Sequence, residues 1–291
     1  MTISAAQVKE LRERTGAGMM ECKKALVESS GDMEGAVEAL RKAGIAKAGK
    51  KANRTAAEGG VFVKGAGKKC VMVEINAETD FVGRDNNFLS FADAVVETAF
   101  NTSATSEEML SAQMLKDQNQ TVEEARQTLI TKVGENVQIR RIALIESVTG
   151  TVGTYVHGGR IGVIVELDTD NAELARDIAM HIAAVKPLVI SPEHVAPDLI
   201  AKEKEIYMAQ AAGSGKPQEI IEKMVMGRLE KFLAEISLTG QAFVKDPNVT
   251  IGNLLNKHRA KVLAFHRFEV GEGIEKVVED FKEAVMSQIQ G

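Results

Sequence analysis

The sequence predicts an α+β protein: a three-helix head, a core built twice from a strand hairpin and a helix, an antiparallel helical hairpin and a C-terminal helix. Three observations predict it. The residues up to Ala43 carry three short helical patterns, two strand-hairpin patterns of similar sequence follow, and two long helical patterns flank Gly213-Ser214-Gly215-Lys216. A length of 291 residues allows two or three compact units at roughly 100–200 residues each. The chain divides accordingly into a head and basic linker (1–54), a first core subdomain (55–140), a second (141–186 and 234–270), a helical-hairpin insertion (187–233) and a C-terminal helical module (271–291).

In the head, Ser4 and Gln7 form a capping-box pattern, and Val8, Leu11 and Met19 carry an apolar stripe. Gly16-Ala17-Gly18 interrupts the helix before it resumes over Met19 to Ser29. Gly31-Asp32 interrupts it again, with Asp32 as N-cap of a helix over Met33 to Lys42. Lys47 to Arg54 sets four basic residues among small ones with no acid, which reads as a linker or a short exposed helix.

Beyond it the period turns to two. Gly59 to Lys64 and Cys70 to Asn76 read as strands joined by Gly65-Ala66-Gly67-Lys68. A helix over about Arg84 to Phe100 buries Phe88, Phe91, Ala92, Val95 and Phe100; Asn101 to Gln120 reads as loops with a short helix. Thr121 and Glu124 open another helix through a second capping box, and Val137 to Ser147 reads as a strand. A second hairpin then repeats the first: Val71-Met72-Val73-Glu74-Ile75-Asn76 aligns with Val163-Ile164-Val165-Glu166-Leu167-Asp168, and a helix follows each, the second over about Ala172 to Ala184. Pro197 to Ala212 and Pro217 to Leu233 form the antiparallel helical pair, with Ile221, Val225, Leu229 and Phe232 at helical spacing. Ile236 to Val244 and Val262 to Val270 read as strands, and Ile274 to Ile289 as a terminal amphipathic helix.

Composition excludes several classes. With 44% hydrophobic and 26% charged residues the bulk of the chain is not disordered. Two cysteines cannot staple a chain of this length, so a disulfide scaffold is excluded and a cytoplasmic location is expected. The first ten residues lack an apolar signal core, and no run of about 18 apolar residues occurs. Net charge is −5, yet Met1 to Arg54 holds more basic than acidic residues. Such a head suits an acidic partner surface or a phosphate backbone, but with so small a charge a solvated helical surface is the favoured reading.

The catalytic templates fail. Gly215-Lys216 is followed by Pro217 and lacks the upstream glycine of a phosphate loop; Gly65-Ala66-Gly67 lies in a hairpin without a third glycine. His157, His181, His194, His258 and His266 form no metal-ligand spacing, and Cys22 and Cys70 read as core thiols. No enzyme activity and no metal or cofactor is expected. What remains is Glu78-Thr79-Asp80-Phe81-Val82, where the chain leaves the first hairpin; the second copy has no aromatic there. Thr79 or Asp80 can cap the next helix, which leaves Phe81 either packed in its own domain or set out as an anchor for a partner.

Two stretches make this specific. Thr15-Gly-Ala-Gly-Met-Met-Glu-Cys-Lys-Lys-Ala-Leu26 and Glu74-Ile-Asn-Ala-Glu-Thr-Asp-Phe-Val82 resemble the signatures of bacterial translation elongation factor Ts. The resemblance extends over nearly the whole chain, through Ile139-Arg-Arg141, His157-Gly-Gly-Arg-Ile-Gly-Val163, His181-Ile-Ala-Ala-Val-Lys-Pro187, Ser237-Leu-Thr-Gly-Gln241 and Arg267-Phe-Glu-Val-Gly-Glu-Gly-Ile-Glu-Lys276.

The resemblance implies a ubiquitin-associated-like (UBA-like) head and a guanine-nucleotide exchange factor for elongation factor Tu. It implies that Thr79, Asp80, Phe81 and Val82 enter the partner's G domain, with Phe81 wedged between helices and Asp80 helping to disturb the Mg²⁺ site. Met19, Met20 and Lys23 match the family's head contact, and His157 its hairpin-tip contact. For the methionines the competing reading is helix core, for Lys23 a solvated lysine, and for His157 a turn-stabilising role. Gly83 stands where the family usually has Ala or Ser, and Ala77 where it commonly has a polar residue or Cys. Two rival readings are an RNA binder using the basic head and a homodimer formed through the helical hairpin; the head's lack of stacking aromatics counts against the first.

Overall fold

The structure, a computed structural model, describes residues 3–115, 120–213 and 217–275. The helix expected over Ile274 to Ile289 falls almost wholly outside these residues, as does most of the turn at Gly213 to Lys216. The chain divides into two compact units. One draws on the residues up to Phe62, on Val73–Ile142 and on the residues from Phe268; the other consists of Val63–Met72 and Ala143–Arg267.

Local hydrogen bonding builds the head. Helix α1 (Ala5–Thr15) opens on a capping box in which Ser4 Oγ accepts from Gln7 N–H and Gln7 Oε1 accepts from Ser4 N–H, and Gly16 closes it at φ 68°. Helix α2 (Met19–Glu28) follows, and Asp32 caps α3 (Met33–Lys51) by accepting from Gly35 N–H at 3.0 Å. Leu11, Ala17, Cys22, Ala25, Leu26 and Ala36 make the core of this bundle, flanked by Ile3, Val8, Met33, Val37 and Leu40.

Helix α3 does not end at Lys42, where the sequence reading placed its end, but runs to Lys51. Its small residues serve close packing rather than flexibility. A Cβ on Gly44 would lie 3.0 Å from Thr131 Oγ1, and Ala48 is buried. The second half of the helix therefore lies against α7 (Val122–Val133), and the stretch read as a linker or a short exposed helix is the end of α3 as far as Lys51.

Strands β1 (Glu58–Ala66) and β2 (Lys69–Ala77) form the first hairpin, and β3 (Val137–Glu146) joins it in the order β1-β2-β3. Between β2 and β3 run α4 (Asp80–Gly83), α5 (Asn86–Thr102), α6 (Glu107–Ser111) and α7. The helix expected over about Arg84 to Phe100 is α5, which starts at Asn86 because Asp85 caps it by accepting from Asn87 N–H at 2.8 Å, and the separate one-turn α4 precedes it. Phe88 of α5 is fully buried against Phe62 of β1, with ring centroids 6.2 Å apart. The capping box at Thr121 and Glu124 opens α7, and Gly134 ends it at φ 81°.

In the second unit, β4 (Thr151–His157) pairs antiparallel with β5 (Ile161–Leu167), from Thr151 opposite Leu167 to His157 opposite Ile161. The tight turn between them needs two residues at positive φ, which Gly158 and Gly159 supply. Helix α8 (Ala172–Val185) covers this hairpin so closely that a Cβ on Gly153 would meet the Ala175 backbone at 2.4 Å. Val163, Val165, Leu167, Leu174, Ile178 and Ile182 form the core there.

Helices α9 (Pro197–Ala212) and α10 (Gln218–Ile236) pack together through Tyr207, Met208, Ala211, Ile221 and Val225. The strand expected over Ile236 to Val244 is instead the end of α10, a 3-10 turn over Leu238–Gly240 and the two-residue β6 (Ala242–Phe243). Leu238 is buried there, and Gly240 packs on the Ala234 backbone, so the chain bends where the apolar pattern suggested extension. Strand β7 (Asp246–Thr250), which pairs with β6, and α11 (Ile251–Lys257) had no counterpart in the periodicity. Strand β8 (Val262–Glu269) flanks β5 in the order β4-β5-β8. Both three-stranded sheets therefore place the second strand of a hairpin in the centre, and the architecture is α+β.

Candidate partner-binding site

The segment after β2 is built around Thr79. Its extended backbone (φ −122°, ψ 157°) ends the strand, and its Oγ1 accepts from Val82 N–H at 3.4 Å, which starts α4. The Thr79 hydroxyl donates to Glu135 Oε1 at 2.8 Å, and the Thr79 backbone N–H donates to Glu135 Oε2 at 3.0 Å. One residue to either side, Asn136 N–H donates to Glu78 Oε1 at 2.6 Å. Segments 78–79 and 135–136 therefore hold each other through three hydrogen bonds.

This frame sets the directions of the next side chains. Val82 turns inward and is buried, whereas Phe81 is 83% exposed. Asp80 pairs with Arg84 at 3.1 Å across one turn at the surface. Gly83 lies so near β1 that a Cβ would approach Gly59 Cα to 3.2 Å. Exposing a phenylalanine forgoes the roughly 1.5–3 kcal/mol that burial of such a side chain supplies. The alternative in which Phe81 packs into its own unit does not hold.

On α2, Cys22, Ala25 and Leu26 face the head's core, while Met19 and Met20 are 60% and 77% exposed. The methionines are thus surface residues and not helix core. Lys23 is exposed beside them. His157 belongs to the second unit, at the exposed end of β4, where its ring stacks on Tyr155 at a centroid distance of 6.3 Å. Tyr155 Oη lies 3.4 Å from His157 Nδ1.

The basic stretch beyond Lys42 is largely engaged. Lys47 pairs with Glu21, Lys51 donates to the Gly134 carbonyl, and Arg54 lies 3.7 Å from Glu78. These contacts reduce the charge available to a phosphate backbone.

Both cysteines are buried and unpaired with each other; burial pushes the Cys70 thiol up to about 12. Among the described residues, no three His, Cys, Asp or Glu side chains gather into a metal-binding group, and no helix is long and apolar enough to cross a membrane.

Glu135 was not legible as part of this site. The available signal was Gly134, whose positive φ turns the chain as α7 ends and carries the next residue back toward Thr79, 56 positions away. The buried Glu74 was equally silent, though it lies in a signature stretch. It binds Arg140, Arg141 and the Gly271 N–H, so that one signature and two further stretches of the resemblance meet around one carboxylate.

Comparison with known proteins carries the identification further. The family model described as elongation factor TS matches residues 78–272, from the start of the Thr79 segment to the turn after β8. Elongation factor Ts of Thioalkalivibrio sulfidiphilus is 56% identical over 294 residues, covering the whole of both chains. That of Methylococcus capsulatus is 54% identical, covering 100% of this chain and 99% of its own. That of Alcanivorax borkumensis is 56% identical, covering 98% of this chain and 100% of its own. Identity of this extent, spread from the head through both sheets, shows that the chain belongs to the elongation factor Ts family.

Proposed function

We propose that this protein is a guanine-nucleotide exchange factor for elongation factor Tu, acting in the cytoplasm during translation elongation. It engages Tu in its GDP-bound and nucleotide-free states. Phe81 wedges between helices of the partner's G domain, the Asp80 region disturbs the Mg²⁺ site, and GDP leaves. GTP then rebinds and releases the factor. No active site or cofactor of its own takes part.

One observation carries this reading: a phenylalanine 83% exposed on a one-turn helix whose N-cap is tied to another element. Almost all of the ring's burial remains available to a partner. That is worth about 1.5–3 kcal/mol, or roughly 10–100-fold in an equilibrium constant. Such an amount cannot by itself hold a complex against the loss of translational freedom, so a wider surface must do so. In this reading Met19, Met20 and Lys23 of the UBA-like head, His157 of the second unit and the module over 271–291 supply that surface. Phe81 directs part of the docking energy into the nucleotide site. Mg²⁺ demands near-ideal octahedral distances, so a small displacement of its ligands weakens it strongly. The coupling is reciprocal: the factor by which this protein weakens GDP is the factor by which GDP weakens this protein.

Stopped-flow release of a fluorescent GDP analogue from purified Tu tests it. Phe81→Ala is expected to slow stimulated release by about 10-fold or more while retaining most of the affinity for nucleotide-free Tu. A release rate equal to that of the unaltered protein would overturn the wedge role.

A further inference from the structure

A four-residue helix cannot maintain its own geometry, because a single turn fixes several dihedrals for one hydrogen bond. The direction of Phe81 must therefore be set from outside α4. Val82 and the contact of Gly83 with Gly59 hold the underside of the turn. Its N-terminal end is held by Glu135, whose two carboxylate oxygens take the Thr79 N–H and the Thr79 hydroxyl. Accepting the hydroxyl proton has a further consequence. It leaves the Oγ1 lone pairs to face Val82 N–H, which they cap. Without the carboxylate, the hydroxyl is free to rotate and the Thr79 N–H loses its acceptor.

Glu135 reaches this position because α7 ends on Gly134 at φ 81°. The same end of α7 also pins the next helix, where Lys132 Nζ donates to Asn87 Oδ1 at 2.5 Å in the first turn of α5. Both sides of the Phe81 turn are thereby referred to one rigid helix terminus.

We infer that Glu135 is a positioning residue for nucleotide exchange. Its carboxylate orders the Thr79 cap and so presents Phe81 in its docking direction before the partner arrives. This inference rests on the exchange reading above. Preorganisation of this kind removes the ordering of one side chain and its turn from the docking step. Losing it is expected to lower the maximal rate of stimulated GDP release by roughly 3- to 10-fold. The concentration giving half-maximal stimulation changes little, because the wider surface is untouched.

The test uses the full chain as Glu135→Ala, Phe81→Ala and the double variant, each checked for an unchanged melting transition and then titrated against Tu·GDP in stopped flow. The expected result is a reduced plateau for Glu135→Ala and no further reduction when it is added to Phe81→Ala. Faster hydrogen exchange at the Val82 amide of isolated Glu135→Ala is expected alongside. A wild-type plateau in a folded Glu135→Ala protein overturns the inference, and so does an equal fold-loss on both backgrounds, since Glu135 would then act by another route. Failure of the exchange reading looks different: Phe81→Ala itself would release GDP at the wild-type rate. Should Glu135→Ala not fold, Thr79→Val removes the hydroxyl link to Glu135 together with the Val82 cap that it orders, and keeps the bond from the Thr79 N–H. The same dependence on Phe81 is then expected, and its absence overturns the inference.

Discussion

Glu74 and Gly271 lie 197 positions apart and share a hydrogen bond, the Gly271 N–H donating to Glu74 Oε1 at 2.9 Å. Glu74 is fully buried, on β2. Arg140 Nη1 donates to its Oε1 at 3.0 Å and Arg141 Nε to its Oε2 at 2.5 Å. The same arginines reach onward: Arg140 Nη2 donates to the Glu272 carbonyl at 2.5 Å and Arg141 Nη2 to the Glu269 carbonyl at 3.0 Å. Arg141 also lies 4.5 Å from the Phe268 ring centroid. One carboxylate thus organises the turn that follows β8, and does so within the unit that carries Phe81.

Removing that carboxylate should be severe. Glu74→Ala leaves the partly exposed Arg140 without its anion and Arg141 with only the Glu272 carboxylate, 3.7 Å away, a change of up to about 3–5 kcal/mol in stability. The expected observation is a lower urea midpoint for the unit. An unchanged midpoint would mean that water already solvates the arginines.

Gly59 is expected to tolerate no side chain. Its φ is 118°, and a Cβ there would lie 2.2 Å from the Ile75 carbonyl oxygen. Gly59→Ala must move β1 away from β2, at more than about 1 kcal/mol, and it shifts the surface on which Gly83 rests. Reduced stability together with slower nucleotide release is the predicted pair of results, read by denaturation and stopped flow.

Phe81 and Met20 should contrast with this. Both side chains are more than three-quarters exposed, so Phe81→Ala and Met20→Ala are expected to leave stability within about 0.5 kcal/mol of the original. Calorimetric titration with nucleotide-free Tu is expected to show weaker binding for Met20→Ala. A large fall in melting temperature for either would place its side chain in the protein's own packing.

Acid should weaken the second unit through His181. Its Nδ1 accepts from Val244 N–H at 3.3 Å, and its Nε2 lies 3.0 Å from Gln241 Oε1, an arrangement that suits the neutral ring. Burial lowers its pKa below the ordinary 6.5, against a smaller upward effect of the Gln241 bond. The unfolded chain therefore takes up this proton first as pH falls. The contribution is full above about pH 6.5 and is lost as pH falls through the lower, folded-state pKa. Urea unfolding at pH 7.5 and at 5.5 should differ more for the native protein than for His181→Asn; equal differences would discount His181.

Thiol reagents should find little to attack. With the Cys70 pKa raised to about 12, its thiolate at pH 8 is on the order of one part in ten thousand, and Cys22 has no accessible surface. Native protein is expected to react with an aromatic disulfide reagent only on unfolding. Prompt stoichiometric labelling would contradict the burial of both.

What the sequence by itself determined about this protein is local. Ser4 with Gln7, Asp32 with Gly35 and Thr121 with Glu124 start helices because donor and acceptor are three residues apart, and any chain bringing them into register makes the same bond. The paired glycines at 158–159 set a hairpin turn for the same reason, and the alternating apolar residues of the two hairpins identified their sheets. The Thr79–Val82 segment was legible as a cap followed by an aromatic.

Tertiary structure decided the rest. Whether small residues after Lys42 meant slack or close packing depended on Thr131, far along the chain. The apolar run after Ile236 bent into a 3-10 turn because Gly240 meets Ala234, and not because of any period. The direction of Phe81 was set by Glu135, and the turn at Gly271 by Glu74. In each case the deciding partner lies outside the few residues over which backbone geometry is correlated. Such contacts exist only once the chain has closed the loops between them, so no local pattern could announce them.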